Sequence, residues 1–355
     1  MLTFIVVLFV FSLLIIIHEL GHMIVAKRLG VRVERFSLGF GKKIFGIKKG
    51  DTEYILSIFP FGGYVKMAGD NPAESKGTPD EFFSKSPFKR FLIVAGGPLT
   101  NYVFAFILFT SIFIIGMPTY MTRVGKLLPD YPAAESGLKV GDVIVAIEDR
   151  DIKYWDDLVE IVRDDTSGEP LDFKIKRAEK TIDLEIAPKI IKTRNIFGQE
   201  TIIGMIGIAP QQDIVFVRHN ILQAAMLGGK KLFKLTALTY KGLWLLITGG
   251  LPVKESVTGP IGIAFLIGEA AKMGFIYLLT IMAHINMALA IFNLLPFPVL
   301  DGGHILFLAI EKMRGRPVSP RAQEIASQIA LYILIAFAVF ISWNDITRFL
   351  PFTQK

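Results

Sequence analysis

The sequence predicts a polytopic α-helical membrane protein of four transmembrane helices, with a membrane-associated β-hairpin or sheet and an extracytoplasmic α/β domain. Three observations point there. Hydrophobic residues make up 52% of the 355 residues, and the mean hydropathy is +0.50, values that fit several spans better than one buried core. Four apolar stretches each supply about the 20 residues that a bilayer requires. Lys and Arg cluster beside those stretches, the pattern that sets membrane orientation. The net charge of +7 therefore reflects topology, and no nucleic-acid partner is expected. Cysteine is absent. Disulfides, iron–sulfur clusters and thiolate metal sites are excluded, and any metal must sit on His, Asp or Glu.

The first span runs from Leu2 to about Val25. It lacks a basic leading region and a small-residue cleavage site, so it reads as a retained span rather than a signal peptide. Residues 31–69 alternate apolar and polar positions in short runs broken by glycine, which predicts strands joined by a tight turn near Lys48–Asp51. Phe59, Phe61, Tyr64 and Met67 make this loop apolar enough to dip into the membrane interface. The second span is Phe91 to about Met117, the third Phe275 to about Pro296, and the fourth about Ile325 to Trp343.

Charge orients these spans. Thirteen Lys and Arg lie between spans one and two, and Lys312, Arg314, Arg316 and Arg321 lie between spans three and four. Both loops are expected to be cytoplasmic, which puts the termini and the middle segment outside. Within that segment, residues 124–188 alternate a strand, a short helix at Pro132–Ser136, a strand at Asp142–Ile147, a helix at Trp155–Arg163 and a hairpin of alternating strands. Residues 232–251 are apolar but interrupted by Lys234 and Lys241, which fits a helix on the membrane surface. The expected organisation is spans one and two at 1–117, the extracytoplasmic domain at 118–213, membrane-surface amphipathic helices at 214–274, and spans three and four at 275–355.

The chemistry is concentrated in His18-Glu19-Leu20-Gly21-His22. On a helix, positions i and i+4 share a face, so both imidazoles can reach one ion while the intervening glutamate stands beside a metal-bound water. Ionisable groups inside a span are costly and mark function. A catalytic zinc needs a third protein ligand. Asp301 is the preferred candidate, because spans one and three run the same way and bring it to the depth of the motif. His304 is the competitor, with a supporting role more natural for it. Pro296, Pro298, Gly302 and Gly303 end the third span and let the backbone bend beside Asp301.

HELGH, Gly-Gly-Pro-Leu-Thr-Asn at Gly96–Asn101, FGGYVKM at Phe61–Met67, PAAESGLKVGDVI, GPIGIA at Gly259–Ala264 and NLLPFPVLDGGH together resemble the site-2 protease family. The resemblance covers nearly the whole chain and is closest to the bacterial regulator-of-sigma-E (RseP) type of zinc metalloprotease. It implies His18, His22 and Asp301 as zinc ligands, Glu19 as the catalytic acid/base and Asn293 as a holder of unwound substrate backbone. It also implies that 118–213 is a PDZ domain able to bind a chain end or to act as a size gate. The Gly-Leu-Lys-Val-Gly-Asp signature occurs once, at Gly137–Asp142, where the best-known members carry two PDZ domains in tandem. Transmembrane protein substrates and the lipid bilayer are the expected partners, in a bacterial inner membrane. An edge strand at Tyr64, Val65, Lys66 and Met67 is expected to pair with substrate. The alternative readings are a non-enzymatic membrane adaptor and a zinc transporter.

Overall fold

In a computed structural model of the chain, residues 2–71, 75–195 and 198–349 are described. The side chains at 60 and 61 are not, which leaves that of Phe61 outside the described residues. The elements run α1 (Leu2–Arg28), β1 (Val33–Lys49), β2 (Thr52–Met67), α2 (Pro87–Ile115), β3 (Met117–Tyr120), β4 (Val124–Leu127), α3 (Pro132–Glu135), β5 (Val143–Ile147), β6 (Arg150–Asp151) and α4 (Trp155–Asp164). They continue with β7 (Leu171–Arg177), β8 (Lys180–Ile186), β9 (Lys189–Arg194), β10 (Glu200–Met205), β11 (Ile208–Pro210), β12 (Ile214–Val217) and α5 (Ile221–Ile247). The described residues end with five helices: α6 (Val253–Ser256), α7 (Pro260–Met273), α8 (Phe275–Asn293), α9 (Asp301–Arg314) and α10 (Pro320–Phe349). The chain divides into two compact units, 1–112 with 221–247 and 252–355, and 113–220 with 248–251.

In the first unit, four helices among the described residues are long and apolar enough to cross a membrane: Thr3–Arg28, Pro87–Ile115, Phe275–Asn293 and Pro320–Thr347. They match the four expected spans to within a few residues at their ends, and α5 is not among them. Lipid offers no hydrophobic drive between helices, so close packing of small residues has to hold them together. Gly21 of α1 and Gly96 of α2 supply that contact, since a Cβ on Gly96 would lie 2.9 Å from the Gly21 carbonyl oxygen. Around it Val10 and Leu14, Phe109 and Ile112, Leu232, Ile267, and Met282 and Met287 form one core drawn from α1, α2, α5, α7 and α8. The sequence reading places α7 in a membrane-surface segment; in the fold its Ile267 is fully buried in this core. The start of α7 is tied to α10, where the Asp345 carboxylate accepts the Gly262 N–H at 2.8 Å and the Gly259 N–H at 3.2 Å.

The expected hairpin with its turn near Lys48–Asp51 is present, but each long strand folds on itself. Positions 33–38 of β1 pair on one side with 63–67 and on the other with 53–56, while 43–49 pair with 52–57. The two strands therefore make a four-ribbon sheet with 63–67 at one edge. Gly62 makes the bend possible, with φ of 111°, a left-handed value that side chains disfavour. A Cβ there would also drive into the Phe40 ring. Edge 63–67 lies against α1, since a Cβ on Gly63 would be 3.5 Å from Glu19 Cγ. Phe40, Ile44, Phe45, Ile47 and Phe59 are exposed on the sheet.

The second unit holds the α/β domain. Strands β6, β5, β7 and β8 form an antiparallel sheet in that order. Ile144, Ile147, Leu158, Phe173, Ile175 and Ile186 fill its core, as the alternation along the sequence requires. Asp142, buried ahead of β5, accepts Arg177 Nε and Nη2, both at 2.8 Å, and the Lys139 N–H at 2.8 Å. These bonds hold the Asp142 carboxyl below the usual carboxylate range, with the Arg177 guanidinium the leading cause.

Candidate active site

The geometry begins with the helix period. His18 and His22 lie one turn apart on α1, with ring centroids 4.8 Å apart and Nε2 atoms 3.2 Å apart. Asp301 opens α9 immediately after the proline turn that follows α8. Gly302 and Gly303 let α9 settle on that turn, because a Cβ at either would strike the carbonyls of Leu294, Leu295 and Phe297. The Asp301 carboxylate thereby reaches the histidines, with Oδ2 3.1 Å from His18 Nε2 and Oδ1 3.5 Å from His22 Nε2.

These three ligand atoms lie within 4.8 Å of one another. Asp301 Oδ2 is buried without a hydrogen-bond partner. His22 Nδ1 donates to the Ile93 carbonyl at 2.9 Å, which leaves its Nε2 lone pair free and aimed at the cluster. Two imidazole nitrogens and a carboxylate converging in a mostly buried spot are the kind of donor set that a catalytic zinc uses, and the residues fit that metal.

Glu19 is adjacent but outside the ligand cluster, with the Val65 backbone N–H hydrogen-bonded to its carboxylate. A cavity of about 670 Å³ opens onto Glu19, His22 and Asp301 and is lined by Val65, Met67, Asp70, Phe82, His304 and Gln323 among others. Burial pushes the Asp70 carboxyl up, although its Oδ2 accepts the Met67 N–H.

The other sequence candidates divide. Val65 and Met67 face the cavity. The side chains of Tyr64 and Lys66 are engaged elsewhere, as the two-residue strand period requires. Tyr64 accepts Arg35 Nη1 at 3.3 Å and stacks on Phe40, and Lys66 Nζ is 3.7 Å from Glu34. His304 lines the cavity but is not in the ligand cluster. Asn293 is the last residue of α8 and does not line this cavity. Sequence reasoning assigned α2 no part in the site, yet α2 supplies the Ile93 carbonyl, the Asn101 amide 3.3 Å from His18 Nδ1, and Gly97, whose missing side chain leaves room for both imidazoles. The available signal was the pair of glycines and the asparagine inside an otherwise apolar span.

The model of peptidase family M50 matches residues 6–337. The chain belongs to peptidase family M50. The activity is accordingly that of a zinc metalloprotease working in the membrane. A Campylobacter jejuni protein is 35% identical, with 97% of this chain and 93% of that protein covered. The regulator of sigma-W protease RasP of Bacillus subtilis is 28% identical, with 98% of each covered. The zinc metalloprotease RasP of Oceanobacillus iheyensis is 28% identical, with 98% of this chain and 99% of that protein covered. Among solved structures, the PDZ domain of the SdrC-like protein from Listeria innocua is 24% identical, covering 26% of this chain and 94% of its own, with a TM-score of 0.21.

Proposed function

We propose that this M50 protease binds zinc through His18, His22 and Asp301, and that Glu19 is its acid/base in the hydrolysis of peptide bonds within or beside single transmembrane segments. One observation carries the reading: three metal-ligand atoms from α1 and α9 converge within 4.8 Å, with Glu19 beside them on α1. Zinc held there supplies Lewis-acid polarisation of the scissile carbonyl and acidifies a water towards neutrality. Glu19, the residue after the first ligand, holds the proton of the attacking water and returns it to the leaving amine nitrogen.

The substrate has to be unwound first. Backbone groups opened in lipid cost several kcal/mol each unless they pair again. Edge 63–67 is positioned to pair with them, because the Val65 N–H already points at Glu19. Tyr64, Val65, Lys66 and Met67 thus hold substrate by strand addition, with Val65 and Met67 side chains facing the cleavage cavity. Asn293 is the proposed partner of a further substrate carbonyl.

The Lys/Arg distribution supports cytoplasmic loops around β1–β2 and α9, an active site near the cytoplasmic face and an extracytoplasmic 118–213 domain in a bacterial inner membrane. That domain acts as a PDZ module towards a chain end or towards substrate size. The name of the B. subtilis relative, a regulator of sigma-W, supports a regulatory role; anti-sigma factors and remnant signal peptides as substrates follow from the resemblance to site-2 proteases.

Reconstitution in proteoliposomes with a single-span substrate tests the reading. Cleavage is expected to stop on chelation and to return with added zinc. Cleavage that persists through complete metal removal would overturn it.

A further inference from the structure

We infer that Asn101 is a positioning residue of the metal site: its side-chain oxygen accepts the His18 Nδ1–H and so turns the His18 Nε2 lone pair towards the metal. The inference rests on the metal-site reading above and adds to it a residue on a third element, α2.

His22 shows what orientation requires. Its Nδ1 is satisfied by a carbonyl, which can only accept, so the ring proton is on Nδ1 and Nε2 is bare. His18 faces the same cluster through Nε2, 3.1 Å from Asp301 Oδ2 and 3.2 Å from His22 Nε2. A neutral imidazole that coordinates through Nε2 keeps its proton on Nδ1, and that N–H needs an acceptor. The group 3.3 Å away is the Asn101 amide, its nitrogen Nδ2 towards the ring. Nitrogen and oxygen of an amide are told apart only by their partners. Here the partners favour the half-turned amide, because Asn101 Oδ1 is otherwise buried with no hydrogen bond. Turning the amide gives that oxygen a donor and His18 an acceptor in one step.

The backbone at this point is held from the opposite side. Asn286 of α8, fully buried, donates its Nδ2–H to the Asn101 carbonyl at 2.6 Å. The arrangement also has a period. Ile93, Gly97 and Asn101 are spaced four residues apart and so share one face of α2. The first orients His22, the second leaves room for both rings, and the third orients His18. One helix face thus serves both histidines without contributing a ligand.

Three variants of the full-length protein test this: Asn101→Ala, Asn101→Asp and His18→Ala. The readouts are zinc affinity by chelator competition, the visible absorption of the cobalt(II)-substituted protein, and the thermal midpoint. Asn101→Ala is expected to weaken zinc roughly 10- to 100-fold and to alter the cobalt spectrum. Asn101→Asp retains an acceptor oxygen and is expected to hold zinc close to the wild-type affinity. Wild-type affinity in Asn101→Ala, or an Asn101→Asp protein that folds normally but loses zinc as Asn101→Ala does, would overturn the inference. If either variant fails to fold, the ¹⁵N spectrum of the histidine-labelled zinc-bound wild type decides. A protonated His18 Nδ1 supports the assignment and a bare one refutes it. Zinc retained by His18→Ala would count against the metal-site reading itself. Zinc lost by His18→Ala but kept by Asn101→Ala would count only against the role of Asn101.

Discussion

Gly97 of α2 lies against His22 so closely that a Cβ at position 97 would overlap the His22 ring edge and approach His18 Cε1 to 2.8 Å. The site therefore depends on the absence of a side chain in a helix that provides no ligand. Gly97→Ala is expected to displace one or both imidazoles, at a packing cost of about 1–3 kcal/mol. Zinc content and cleavage are expected to fall together. Full zinc occupancy in that variant would show that the rings have room to move.

The edge at 63–67 gives a second expectation. Val65→Pro removes the N–H that faces Glu19 and blocks pairing at that position. Cleavage of a transmembrane substrate is expected to drop far more than cleavage of a short, already extended peptide, measured side by side in detergent. Equal retention of both activities would remove strand addition from the account.

In the second unit, the depressed carboxyl of Asp142 couples stability to pH. Its folded-state value lies below the unfolded value of about 3.9. The stabilisation is therefore present above that unfolded value and is lost as pH falls through the folded one. Arg177→Met removes both guanidinium bonds. The acid unfolding midpoint of the variant is expected to move to higher pH, followed by circular dichroism. An unchanged acid limb would mean that other carboxylates control it.

Asp345 closes the start of α7 through the Gly259 and Gly262 N–H groups. Asp345→Ala leaves two buried donors without partners, which costs about 1–3 kcal/mol for each unsatisfied group. A lower thermal midpoint in detergent is expected, with Asp345→Asn intermediate because it keeps one acceptor oxygen. Equal midpoints for all three proteins would mean that water replaces the carboxylate.

Much of the site was legible in the sequence because its chemistry is written in rare residue types. Two histidines with helical spacing in an apolar run are visible as such. Asp301 was reachable because span orientation follows from the Lys and Arg between spans. The contribution of α2 was not legible for physical reasons. The Ile93 carbonyl is backbone and leaves no trace in residue identity, and Gly97 acts by what it lacks. The strands at 33–67 were legible as strands, and so was their turn. The double pairing of 33–38 was not, because it depends on bends at Gly39, Gly41 and Gly62 that carry positive φ. The strand period places Tyr64 and Lys66 opposite Val65 and Met67, a division the sequence reading did not draw. The period does not show which pair faces Glu19, because that is decided by the packing of 63–67 on α1.

The most direct test of the central claim is cleavage of a reconstituted single-span substrate by Glu19→Gln, with bound zinc measured in the same preparation. The substitution leaves His18, His22 and Asp301 in place and removes only the group that carries the proton. Zinc is expected to remain at the wild-type level while the cleavage rate falls roughly 10²- to 10⁴-fold. Zinc-loaded Glu19→Gln that cleaves at the wild-type rate would contradict the assignment of Glu19 and the mechanism built on it.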